Sequence, residues 1–139
     1  MRTVAVVVAV ALATGAMLAA CGGSAASQPA GSIKVTMTEF KFDPATISVP
    51  SGKVVFFLVN GGATSHDFVI RDGRGARVNG SELISAGDSN AFTIENLAAG
   101  TYTYFCDQPA HESEGMKGTL KPVVAKAETK SDGKPAAKP

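Results

Sequence analysis

Between residues 32 and 124, apolar side chains recur at every second position, the period of an extended strand with one face buried. In "SIKVTMTEF" Ile33, Val35 and Met37 alternate with Lys34, Thr36 and Thr38. "TISVPSGKVVFFLVN" reads as a short strand, a Pro-Ser-Gly turn and a continuous apolar run suited to burial on both faces. "HDFVI", "NAFTIENL", "GTYTYFC" and "GTLKPVV" are further strands, the middle two joined by "AAG". The polar, glycine-rich "RDGRGARVNG" reads as a poor strand and an exposed excursion. No window has the period of a long amphipathic helix and no internal repeat is present. About seven or eight short strands in some ninety residues predict an all-β fold, a β-sandwich or small barrel.

The flanks differ in composition. "MRTVAVVVAVALATGAMLAAC" starts with one Arg, runs apolar and ends in small residues before Cys21, the layout of a secretory signal. The rival is an uncleaved anchor, since Val4 to Ala20 is close to the shortest span that crosses a bilayer. "LAAC" resembles the bacterial lipobox, which implies a signal peptide over 1–20 and lipidation of Cys21 as the first mature residue. Residues 21–31 then form a lipidated cysteine and flexible tether, and 125–139, without large apolar side chains, a disordered tail. The compact domain is expected over 32–124, which carries eight basic and ten acidic residues. That balance excludes an electrostatic case for nucleic acid.

Setting Cys21 aside leaves Cys106 as the single thiol, with no disulfide partner in an exported chain. It lies in "YFCDQPAHESEGMKG" with His111 and Met116, and the second of two histidines, His66, opens the strand "HDFVI". Two imidazoles, one thiolate and a thioether are the donor set of a blue-copper electron-transfer site, because sulfur suits Cu(I) while imidazole suits both oxidation states. Three rivals are weaker. A packing role needs all four residues to fall into a ligand pattern by accident. A Cys–His nucleophile pair lacks a positioning third group. Structural zinc favours several thiolates.

From "FKFDPATISVPSGKVVFFLVNGGATSHDFVI" to "GTYTYFCDQPAHESEGMKGTL" the chain resembles the cupredoxins, the plastocyanin and azurin group of blue-copper proteins. The resemblance implies a Greek-key β-sandwich binding one type 1 copper through His66, Cys106 and His111, with Met116 as weak axial ligand. It also implies that His111, flanked by Pro109 and Ala110, is the electron port. Where plastocyanin and azurin carry Asn after the upstream histidine, this chain has Asp67, which accepts hydrogen bonds but cannot donate as an amide does. Phe105 and Asp107 flank Cys106, and with two histidines in all the centre is expected to be mononuclear.

The expectation is therefore a membrane-tethered blue-copper electron carrier, not an enzyme. It would be a monomer exchanging electrons with redox protein partners, held by lipid on Cys21 on the extracytoplasmic side of a bacterial membrane. The alternative is a copper-binding lipoprotein for copper storage, sensing or delivery. Phe40, Phe42, Phe56, Phe57 and Phe92 are expected in core or sheet-face packing, Tyr102 or Tyr104 in a corner hydrogen bond, and Glu112 and Glu114 in solvent, with steering of a basic redox partner as the weaker alternative for the two acids.

Overall fold

The computed structural model describes residues 26–124; the signal peptide, the lipidated Cys21 and the tail expected over 125–139 lie outside them. Nine strands form two sheets: β1 (Ile33–Thr38), β2 (Lys41–Asp43), β3 (Thr46–Pro50), β4 (Gly52–Asn60), β5 (Val69–Arg71), β6 (Arg77–Gly80), β7 (Ser89–Leu97), β8 (Tyr102–Phe105) and β9 (Lys117–Val123). One sheet runs β2-β1-β4-β7 and the other β3-β9-β8-β5-β6, and no helix occurs among the described residues. The expected all-β sandwich is present, with more strands than the seven or eight read from the alternation. The extra strands come from a tight turn at Glu39–Phe40, which splits β1 from β2, and from the excursion. Arg77–Gly80 pairs antiparallel with β5 and so forms a strand where the sequence reads as a poor one, while residues 73–78 are exposed as expected. Main-chain pairing with β5 supplies what its side chains do not.

β1 lies parallel to β4, and β3 parallel to β9, so each sheet contains strands remote in sequence. The alternation predicted in β1 is met: Val35 and Met37 are fully buried and pack with Phe56 and Leu58 of β4. The opposite sheet contributes Ile47, Val49, Ile70, Tyr104 and Leu120. The centre of the core is aromatic. Phe68 stacks on Tyr104 with ring centroids 4.8 Å apart, and Phe42 meets both edge-on at 5.6 and 5.2 Å. Such pairs add about 0.5–1.5 kcal/mol each beyond the area they bury.

Tyr104 is also a polar strut. Its hydroxyl donates to the Pro44 carbonyl at 2.6 Å, where the chain passes from β2 in one sheet to β3 in the other, and burial pushes its pKa up to about 12. Tyr102 makes the shorter-range corner bond, to the Ala98 carbonyl at 3.1 Å. The Tyr104 ring lies over its β9 neighbour Gly118, where a Cβ would sit 2.2 Å from Cζ. Gly118→Ala should therefore displace the ring and destabilise the domain by about 1–3 kcal/mol, the cost of overpacking, read as a fall in thermal midpoint. Wild-type unfolding of that variant would contradict this packing.

Candidate metal centre

β4 ends in Asn60, which is buried, and its amide organises the turn that follows. Nδ2 donates to the carbonyls of Thr64 and Ile84, both at 2.8 Å, while Oδ1 accepts from the Gly62 amide at 2.9 Å. His66 and Ile84 then exchange main-chain hydrogen bonds of 3.0 and 2.8 Å, and Phe68, two residues on, is buried in the aromatic core. His66 is thus fixed on both sides and completely buried.

The other ligand candidates sit on the connection from β8 to β9. Cys106 follows the last residue of β8, with its amide donating to the Met116 carbonyl at 3.1 Å. The Met116 amide donates to the His111 carbonyl at 2.9 Å, and the His111 amide to that of Gln108 at 3.1 Å. Gly115 takes φ +110°, which a residue with a Cβ rarely adopts, and this turns Met116 inward to complete burial.

These elements bring His66, Cys106 and His111 together, with Met116 positioned beside them as in a copper site. The Nδ1 atoms of the two histidines are 3.2 Å apart, and Cys106 Sγ lies 3.3 Å from His111 Nδ1 and 3.8 Å from His66 Nδ1. A triangle with these sides has its centre about 2.0 Å from every corner, close to metal–imidazole bonds of ~2.0–2.1 Å and a little inside metal–thiolate bonds of ~2.3 Å. The donor set therefore fits an ion, and a single thiolate with two imidazoles and a thioether selects copper over structural zinc.

Electrostatics agree with that fit. Burial lowers the pKa of His66, His111 adds to the effect, and Glu39 and Asp67 oppose it, so the ring favours the neutral form a metal requires. Burial raises the Cys106 pKa, partly offset by main-chain hydrogen bonds from Asp67 and Gln108. A coordinated cation overcomes that cost, because a metal-bound thiol loses its proton.

The surrounding contacts correct two expectations. Glu112 is not free in solvent: its carboxylate forms a two-pronged pair with the Arg71 guanidinium, which also lies 4.4 Å above the Phe105 ring. Arg77 reaches Asp107 at 3.3 Å, so β5 and β6 each send an arginine to the ligand loop. Phe40 is not in the core. It is 39% exposed and meets the half-buried His111 ring edge-on at a centroid distance of 5.2 Å. Asp67 accepts from the Asp107 amide at 2.7 Å and so ties the two ligand segments together, although it has no amide to donate.

Fold and donor set together define a mononuclear copper protein of the blue-copper type. The chain belongs to the cupredoxin-like domain family, which it matches over residues 5–121. It is 29% identical over 105 residues to the copper-resistant cuproprotein CopI of Rubrivivax gelatinosus, an alignment spanning 63% of this chain and 64% of that one. It is 47% identical over 38 residues to auracyanin-B of Chloroflexus aurantiacus, 27% of this chain and 16% of the other. The chain thus covers less than two thirds of either curated relative. Among solved structures, auracyanin B superposes with a TM-score of 0.61 at 25% identity, over 73% of this chain and 96% of that one. Members of the family bind one type 1 copper, and the four residues here stand where such a site requires them.

The contact from Asp67 yields a prediction. Asp67→Asn keeps an oxygen for the Asp107 amide but removes a negative charge next to Cys106. The copper-loaded variant should keep its visible band and show a raised reduction potential, since Cu(II) loses more stabilisation than Cu(I). Asp67→Ala should also destabilise the domain by about 1–3 kcal/mol, because the Asp107 amide loses its partner. An unchanged potential in Asp67→Asn would remove the charge from the account of the site.

Proposed function

We propose that this protein is an electron carrier of the cell envelope. It exchanges single electrons between redox protein partners as a monomer, held by lipid on Cys21 at the extracytoplasmic side of a bacterial membrane. The observation that carries the redox reading is the convergence of two imidazole Nδ1 atoms and one thiol sulfur at a buried point. Copper bound there supplies one-electron chemistry. The protein holds its donors in place, so little rearrangement accompanies the change of charge, and it leaves the edge of His111 half-buried beside Phe40, Pro109 and Ala110 as the port for a partner. In this reading the role is that of a carrier rather than an enzyme.

A second reading rests on CopI, whose name records copper resistance: the same site would sequester copper or pass it on. A carrier should exchange electrons rapidly and keep its copper when mixed with a metal-free acceptor. A copper-handling protein should give up Cu(I) to that acceptor.

The spectrum is the direct test. Oxidised copper-loaded protein should absorb intensely in the visible through the Cys106 thiolate, and Cys106→Ser should abolish the band. Met116→Leu should keep the colour and raise the potential, because removing a weak axial donor destabilises Cu(II) relative to Cu(I). A colourless protein at full copper occupancy would overturn the reading.

The anchor is tested separately. Expressed whole in a bacterium, the chain should fractionate with membranes and carry acyl chains on Cys21, each buried methylene contributing about 0.8 kcal/mol. Cys21→Ala should abolish acylation. Soluble wild-type protein whose mature start lies elsewhere would exclude the tether.

A further inference from the structure

With Nδ1 of His66 facing Cys106 and His111, the second ring nitrogen points the other way into the protein. Nε2 is buried and has no hydrogen bond of normal geometry, yet it is not without a charged neighbour: Oε1 of Glu39 stands 3.4 Å away. Glu39 comes from the turn between β1 and β2, far from His66 in sequence. The same Oε1 accepts from the amides of Ala63 and Thr64 at 2.7 and 2.8 Å and from Thr64 Oγ1 at 3.0 Å. Three donors of the turn that delivers His66 thus converge on one carboxylate oxygen. Three donors on one oxygen are the pattern that favours an ionised carboxylate over a protonated one.

Gly62 gives an independent sign that this approach is built in. A Cβ there would lie 2.7 and 2.8 Å from the two Glu39 carboxylate oxygens and 2.9 Å from His66 Nε2. No positive φ calls for glycine at this position. Space between the carboxylate and the imidazole does.

We propose that Glu39 is a positioning residue of the copper site. Its carboxylate keeps the His66 proton on Nε2 and leaves the Nδ1 lone pair directed at the metal. A neutral imidazole carries one N–H, and a fixed anion next to Nε2 selects the tautomer with the proton on that side. The same anion makes Nδ1 a more basic donor, as carboxylate partners of metal-bound histidines do, and such partners typically govern 10–100-fold in metal affinity. A negative charge held near the centre favours Cu(II) over Cu(I), so Glu39 lowers the reduction potential. This inference rests on the copper reading above.

The test separates the two. In the metal-free wild-type protein, long-range proton–nitrogen NMR correlations of the His66 ring should show the proton on Nε2, a result that does not depend on copper or colour. Glu39→Gln retains an oxygen for Ala63 and Thr64 but removes the charge. It should fold, retain the visible band, bind Cu(II) about tenfold more weakly with a smaller change for Cu(I), and show a raised potential. Two results would overturn the proposal: a wild-type His66 protonated on Nδ1, or a folded Glu39→Gln variant with wild-type Cu(II) affinity and potential, which would leave Glu39 as a pin for the turn alone. Failure of wild-type protein to form a blue site would count against the copper reading, while the tautomer measurement would still decide the role of Glu39.

Discussion

Two imidazole nitrogens and a thiol sulfur held within 4 Å of one another in a buried pocket form an arrangement that side chains do not adopt unaided. Each group loses water, and their lone pairs face one another. The rest of the domain can be understood as the means of enforcing that proximity. Core residues anchor the chain immediately beyond the upstream ligand, through Phe68, and immediately before the downstream ones, through Tyr104. Asn60 satisfies two main-chain groups of the turn ahead of His66 and the carbonyl of Ile84, so the approach to His66 has almost no freedom left. The aromatic contact between Phe68 and Tyr104 joins the two ligand-bearing segments from beneath.

A second set of contacts acts from the side. Arg71 and Arg77 lie on strands that contribute no ligand, yet each is paired with an acidic residue of the downstream loop. The Arg77–Asp107 pair is largely exposed, and such pairs contribute about 0–1 kcal/mol. Arg71 is better placed, since its guanidinium is held both by Glu112 and by the Phe105 face. These contacts determine where the loop sits rather than how stable the domain is. They also leave Glu114 as the unpaired acid of the loop, which weakens any case for a strongly acidic docking surface.

Much of this was legible from residue order. Strict alternation located the long strands, and the restricted chemistry of His, Cys and Met located the ligands, because few functions require all three types in one short segment. What escaped the sequence was contact between remote positions. β6 is a strand because β5 offers it a main-chain partner, which no local pattern of "ARVNG" announces. Phe40 looks like a core residue from composition, but the turn beside it points the ring at His111. Glu39 gives no signal, since its spacing from His66 corresponds to no local period and the contact exists only because β1 lies beside β4. Asn60 offered a faint one: a polar amide closing an otherwise apolar run, ahead of two glycines.

The bond from the Cys106 amide to the Met116 carbonyl closes the segment between them into a ring lying beyond the last rung, Phe105 opposite Lys117, of the β8–β9 ladder. Residues inside that ring take no part in strand register. Lengthening a closed segment adds only about 0.6 kcal/mol of closure entropy per doubling. Insertions and deletions there leave the sandwich untouched while moving His111 relative to Cys106. The scaffold by itself therefore does not dictate the ligand spacing: a chain with the same nine strands could carry a longer or shorter ring and hold its metal differently.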